Sequence, residues 1–146
     1  MEPMMVGRVV VAGEVRGQVL ASLEPISFWG GYDQATGEII DRRHPLTGQM
    51  AAGKILAIPY TRGSSTTTAV LLESVKAGKS PAAILTSGVD RFLALASIVA
   101  DEMYARPIPI LALEPGDFLK LHSGQVLRIT LDGRIFFVDA DDHLKD

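Results

Sequence analysis

A chain of 146 residues that is 47% hydrophobic and 21% charged is long enough for one domain with a true core and too apolar for intrinsic disorder. Its net charge of −3, with basic residues scattered apart from Arg42-Arg43, argues against a binder of nucleic-acid backbones. The absence of cysteine excludes a disulfide framework, and with it a zinc ribbon or iron–sulfur cluster held by thiolates of this chain.

No apolar run approaches the roughly 18 residues that span a bilayer. Residues 1–6 lack the charged and cleavage regions of a secretory leader, so the expected location is the cytoplasm. The three histidines, His44, His122 and His143, lie far apart and show no metal-ligand spacing. His122 and His143 sit in polar contexts and receive no role.

In chain order, residues 7–22 are rich in β-branched side chains and punctuated by glycine. They predict one long strand or two short ones, bent at Gly13 or Gly17. Residues 27–41 open on aromatics, break at Gly30-Gly31 and turn at Ala35-Thr36-Gly37. The run Glu38-Ile39-Ile40-Asp41 then predicts a short strand. Residues 42–53 are polar, with Pro45, Gly48 and Gly53, and predict a loop.

Residues 54–59 form a continuous apolar run of the kind found in buried parallel strands. A helix follows from the Thr66-Thr67-Thr68 run, with Val70, Leu71, Leu72 and Val75 at helical spacing and Gly78 as its C-cap. Residues 81–85 predict a second buried strand. Asp90 caps a second helix, whose Phe92, Leu95, Ala96, Val99 and Met103 follow the i, i+3, i+4, i+7 pattern of a core-facing stripe. Residues 108–113 predict a third buried strand. The centre is therefore a βαβαβ unit with a parallel sheet. Near the C-terminus, Asp132-Gly133 between two alternating apolar runs predicts a β-hairpin. The whole chain, 1–146, reads as a single α/β domain, with its core over about 7–138 and a solvated tail over 139–146.

Three constellations could carry chemistry. Thr61-Arg62-Gly63-Ser64-Ser65 lies between a buried strand and a helix, where open α/β sheets place ligands. A helix N-terminus there offers free N–H groups and partial positive charge to a carboxylate, a phosphate or a serine oxyanion. The same residues also suit a plain N-cap after a tight turn. The segment is not a nucleotide phosphate loop, because the Gly-Lys-Ser/Thr ending is missing. The paired glycines of Ser27-Phe28-Trp29-Gly30-Gly31-Tyr32-Asp33 suggest close backbone approach to a ligand or partner, or else a bulge beside a packed tryptophan. Asp41-Arg42-Arg43-His44-Pro45 could orient a substrate or be a solvated loop.

Together these motifs resemble the small subunit, or swivel domain, of the aconitase X family. The resemblance runs over roughly residues 7–113. It is carried by the Ser-Phe-Trp-Gly-Gly segment, Thr-Gly with Ile-Asp and His-Pro soon after, then Gly-Lys-Ile and the Arg-Gly-Ser-Ser turn opening a helix. The fold it implies is the swivelling β/β/α domain of aconitase. By the same likeness Gly63 holds the turn, Ser64 is the base that removes a proton α to a carboxylate, and Ser65 is the second serine. Arg62, Gly63, Ser65, Thr66, Gly30, Gly31 and His44 are then the substrate-binding candidates. Thr66 stands where aconitase has arginine, which tells against a citrate-like carboxylate clamp.

The resemblance also implies a partner, a large aconitase X subunit, in a heterodimer or larger assembly. This chain would bind no cofactor, and an iron or iron–sulfur centre would lie on the large subunit. The implied reaction is dehydration of a small hydroxy acid: cis-3-hydroxy-L-proline to Δ1-pyrroline-2-carboxylate, or alternatively 5-phosphomevalonate. A non-catalytic assembly domain on the same fold is the rival from another class. A phosphohistidine carrier would need histidine where serine opens the helix.

Overall fold

The computed structural model describes residues 2–63 and 65–138; Ser64 and the expected tail over 139–146 lie outside the described residues. In chain order the elements are β1 (Met5–Val6), β2 (Arg8–Val11), β3 (Val15–Ala21), β4 (Ile26–Ser27), α1 (Phe28–Gly31), β5 (Ile55–Ala57), β6 (Thr61–Arg62) and α2 (Ser65–Lys76). They continue with β7 (Ala83–Ser87), α3 (Arg91–Tyr104), β8 (Ile110–Leu113), α4 (Pro115–Phe118), β9 (Val126–Ile129) and β10 (Arg134–Phe137).

The predicted βαβαβ centre is present. β5, β7 and β8 run parallel, in the register Ile55↔Ala83 and Ile84↔Ile110, with α2 and α3 as crossovers. β3 extends the parallel set by pairing with β5. The full sheet has eight strands in the order β1-β10-β9-β3-β5-β7-β8-β2. Because β1 and β2 are consecutive, residues 5–11 close the sheet almost onto itself, pairing with β10 at one end and with β8 at the other. Gly7, between them, donates its N–H to Gly133 O at 2.8 Å. A Cβ on Gly133 would lie 2.5 Å from Gly7 O, so only glycine permits this approach.

The central strands are largely apolar because both of their faces are covered. Leu56 and Ile84 point into a layer shared with Phe28, Ile39, Leu71 and Leu93 beneath the helices. Ile55, Ala57 and Leu85 point the other way, into a second core with Leu111, Leu127, Ile135 and Phe118. Met5 belongs to this second core, so the core begins slightly before residue 7.

Several local readings hold. Gly13 marks the break between β2 and β3, while Gly17 lies inside unbroken β3. α2 ends as expected at Gly78: Gly78 N–H reaches Val75 O at 3.0 Å and Lys79 N–H reaches Ser74 O at 2.8 Å. The Asp132-Gly133 turn joins β9 and β10 in an antiparallel hairpin.

Two readings are corrected. Glu38–Asp41 forms no strand, only the isolated bridges Tyr32↔Ile39 and Glu38↔Met50. The core face of α3 is Leu93, Ala96, Ser97 and Ala100, of which the predicted stripe held only Ala96. Of that stripe, Phe92, Leu95 and Met103 are 41%, 52% and 59% exposed. The helix is apolar almost all round, and the packing selects its small residues. Ser97 bridges backbone, donating its hydroxyl to Ile108 O at 2.6 Å and accepting Ile108 N–H at 2.8 Å. No helix among the described residues is long and apolar enough to cross a membrane.

Candidate functional site

The site is built at the carboxyl end of β5. After Ile58, Pro59 and Tyr60 the chain enters β6, passes Gly63 and starts α2. Gly63 has φ +107°, a conformation L side chains rarely adopt, so the glycine is required by the turn. It is exposed, as are Arg62 and Thr66. The nominated base, Ser64, lies outside the described residues, as does the side chain of Ser65.

Two constellations far apart in sequence meet here. β4 pairs with β6 in parallel, Ile26 opposite Thr61 and Ser27 opposite Arg62. The Phe28–Gly31 segment therefore starts beside the Gly63 turn and packs against α2. It is a single helical turn, distorted at Trp29 and Gly30. Between it and α2 lies an open cleft lined by Trp29, Gly30, Asp33, Ile40 and Val70. Gly30 is exposed at this cleft, while Gly31 is buried and accepts Ile40 N–H at 3.0 Å.

The aromatics of this segment divide sharply. Phe28 and Tyr32 are buried, with ring centroids 5.2 Å apart. Tyr32 donates its hydroxyl to Lys79 O at 2.6 Å, and burial pushes that hydroxyl far above the usual phenol range. Tyr32 is thus a neutral anchor for the loop. Trp29 is 69% exposed and faces outward.

The structure gives His44 a different place from the turn residues. Its ring is buried; Nδ1 accepts Leu46 N–H at 3.1 Å, and Nε2 lies 3.3 Å from Glu24 O. Accepting at Nδ1 puts the proton on Nε2, which donates to Glu24 O. Both nitrogens thus have backbone partners, and the ring fastens the 41–48 loop rather than presenting a free nitrogen to the turn.

Asp90 contributes more than its sequence position suggests. The expected cap is present, Oδ1 accepting Phe92 N–H at 3.0 Å and Leu93 N–H at 3.2 Å. The other oxygen reaches back to β6, accepting both the N–H and the hydroxyl of Thr61, at 2.7 and 2.6 Å. One buried carboxylate thus fixes the start of α3 and the strand that leads into the Gly63 turn. Nothing in the local sequence pairs residues 61 and 90; the only signal is that each follows a buried strand.

In the first turn of α2, Thr67 is fully buried, and the hydroxyl oxygens of Thr67 and Thr68 are buried with no hydrogen-bond partner among the described residues. Among the described residues no donor set suits an iron centre. The chain has no cysteine, and no group of three metal-ligating side chains comes together among the described residues. The arrangement offers an anion-favouring helix start, a glycine turn and hydroxyl groups, which suit proton transfer and oxyanion binding.

Comparison with known proteins agrees with this fold. A family model described as the aconitase X swivel domain matches residues 4–137. The cis-3-hydroxy-L-proline dehydratase of Pseudomonas aeruginosa is 47% identical over 110 residues, which are 75% of this chain and 19% of that protein. The chain thus spans about a fifth of the length of that relative. The phosphomevalonate dehydratase small subunit of Thermococcus gammatolerans is 36% identical over 92% of this chain and 97% of its own length. The crystal structure of Thermococcus kodakaraensis aconitase X in its holo form superposes with a TM-score of 0.81 at 32% identity, covering 92% of this chain and 97% of that one.

Proposed function

Since the chain belongs to the aconitase X swivel-domain family, we propose that it is the small subunit of a two-part hydro-lyase, that it dehydrates cis-3-hydroxy-L-proline together with a large subunit, and that Ser64 is its general base. The observation that carries this reading is the Gly63 turn, set between the end of a buried strand and the start of a twelve-residue helix. A serine next in the chain after such a glycine stands where free N–H groups and the helix dipole favour an oxyanion. The identity of 47% to the Pseudomonas dehydratase supports the hydroxyproline substrate.

In this reaction the proton on C2, α to the carboxylate, passes to the serine oxygen. The C2–H electron pair becomes the C2=C3 double bond, and the C3 hydroxyl takes up a proton from solvent and leaves as water. The resulting enamine tautomerises to Δ1-pyrroline-2-carboxylate. Arg62, Thr66 and Gly30, exposed around the turn and its cleft, are the groups that would meet substrate. Any iron or iron–sulfur group of the enzyme falls to the large subunit, because this chain has no cysteine and its described residues bring no set of metal ligands together, and no step above runs through it.

A second reading, the small subunit of a 5-phosphomevalonate dehydratase, is favoured by length. The chain covers 97% of the Thermococcus small subunit but only 19% of the Pseudomonas dehydratase. The test is co-production with the large subunit encoded in the same organism, then assay of water loss from both acids. Turnover of cis-3-hydroxy-L-proline by the complex, absent from either subunit alone, is expected. Turnover of 5-phosphomevalonate instead would replace the substrate assignment, and inactivity of the complex on both would end the hydro-lyase reading.

A further inference from the structure

The first turn of α2 holds a polar group that the reaction above does not use. Thr67 is 0% exposed, and its hydroxyl has no hydrogen-bond partner among the described residues. A buried hydroxyl without a partner is unfavourable, and folded proteins rarely keep one without a use. Its direction is defined by Gly63: a Cβ placed there would lie 3.7 Å from Thr67 Oγ1 and 3.5 Å from Thr66 Oγ1. Thr67 Oγ1 is thus a buried oxygen directed at the underside of the Gly63 turn. Thr66, the residue that departs from the aconitase arginine, is exposed beside it.

We infer that Thr67 is a positioning residue, whose hydroxyl donates a hydrogen bond into the Gly63 turn while the base there carries negative charge, before it takes the substrate proton. The inference rests on the reading that the base of the dehydration sits in this turn. Because Thr67 is sealed from solvent, it acts through the turn and not on substrate directly. A donor aimed at an oxyanion favours the charged form of the group it supports. It therefore holds the pKa of the base down and keeps it usable nearer neutral pH. Valine has nearly the same shape as threonine but no hydroxyl, so it removes the donor without opening a cavity, and serine retains the donor.

The experiment compares wild type, Thr67→Val, Thr67→Ser and Ser64→Ala in the reconstituted two-subunit enzyme. It reads kcat and KM for cis-3-hydroxy-L-proline, the pH profile of kcat/KM, and the melting temperature. Thr67→Val is expected to lower kcat by about 10–100-fold, the loss of one charge-assisted hydrogen bond, with KM nearly unchanged. Its acid limb should move to higher pH, and its melting temperature should be equal to or above that of wild type. Thr67→Ser is expected to restore most of kcat and the wild-type pH profile. The proposal is overturned if Thr67→Val keeps the wild-type kcat and pH profile. It is equally overturned if Thr67→Ser is as impaired as Thr67→Val, since packing and not the hydroxyl would then be responsible. Ser64→Ala separates the two ideas. Its inactivity beside a normal Thr67→Val retires Thr67 alone, whereas a fully active Ser64→Ala retires the turn as the seat of the base and Thr67 with it.

Discussion

Asp90 and Thr61 are joined twice: one carboxylate oxygen accepts both the backbone N–H and the side-chain hydroxyl of Thr61, at 2.7 and 2.6 Å. The other oxygen of Asp90 caps α3. A single side chain thus ties the start of α3 to β6, the strand that leads into the Gly63 turn. Asp90→Ala should lose about 1 kcal/mol from the cap and about 1.5–3 kcal/mol from the bonds to Thr61. Asp90→Asn, keeping one acceptor, should lose less. Chemical denaturation measures both, and a loss below about 1 kcal/mol for the alanine variant would show that the Thr61 link is energetically empty.

Tyr32 predicts an alkaline transition. Its hydroxyl is buried against Lys79 O, and burial raises its pKa well above the ordinary phenol value of about 10. The unfolded phenol therefore ionises first. Stability due to Tyr32 is fully present below about pH 10 and declines as pH rises beyond it. Tyr32→Phe should cost about 1 kcal/mol at neutral pH, and its unfolding free energy should fall less steeply above pH 10. Parallel alkaline slopes for the two proteins would contradict this.

Trp29 is the chain's one tryptophan, and it is exposed next to the candidate site. Large exposed aromatics are enriched at interfaces. Adding the large subunit should shift its fluorescence to the blue, and Trp29→Ala should weaken association by at least tenfold. Phe28 and Tyr32, the other aromatics of the segment, are buried and cannot contribute. Unchanged emission together with unchanged affinity would place the interface elsewhere.

For Ser64, the base and the plain N-cap differ in what alanine removes. As a base, Ser64→Ala should lower kcat of the complex by roughly 10²–10⁴-fold with little change in melting temperature. As a cap, it should cost about 1 kcal/mol of stability and leave turnover intact. Ser65→Ala is the control: if it alone abolishes turnover, the base is one residue further on.

The parts legible in sequence were those decided by neighbours in the chain. The Asp132-Gly133 hairpin, the Gly78 helix end and the Asp90 cap each rest on residues two to five positions apart. Buried runs such as Ile55–Ala57 also declare themselves by composition. The core face of α3 did not, because Phe92, Leu93, Leu95 and Ile98 surround the axis and only the neighbouring layers choose among them. The pairing of β4 with β6 was hidden for another reason: each strand has two residues, too few to leave a period. It is nevertheless what sets the Trp29-Gly30 segment beside the Gly63 turn. His44 read as a substrate-orienting candidate or part of a solvated loop, and only the fold brings Glu24 O within reach of its ring.

The closure made by residues 5–11 limits how another protein can recognise this one. The two ends of the sheet order are β1 and β2, two and four residues long, so very little unpaired strand backbone is on offer. Recognition by strand addition, in which a partner borrows the hydrogen-bonding rim of a sheet, needs a longer free edge than this. A partner must therefore read side chains and loop surfaces. Its specificity would then respond to point substitutions at residues such as Trp29, and not to the backbone register of the sheet.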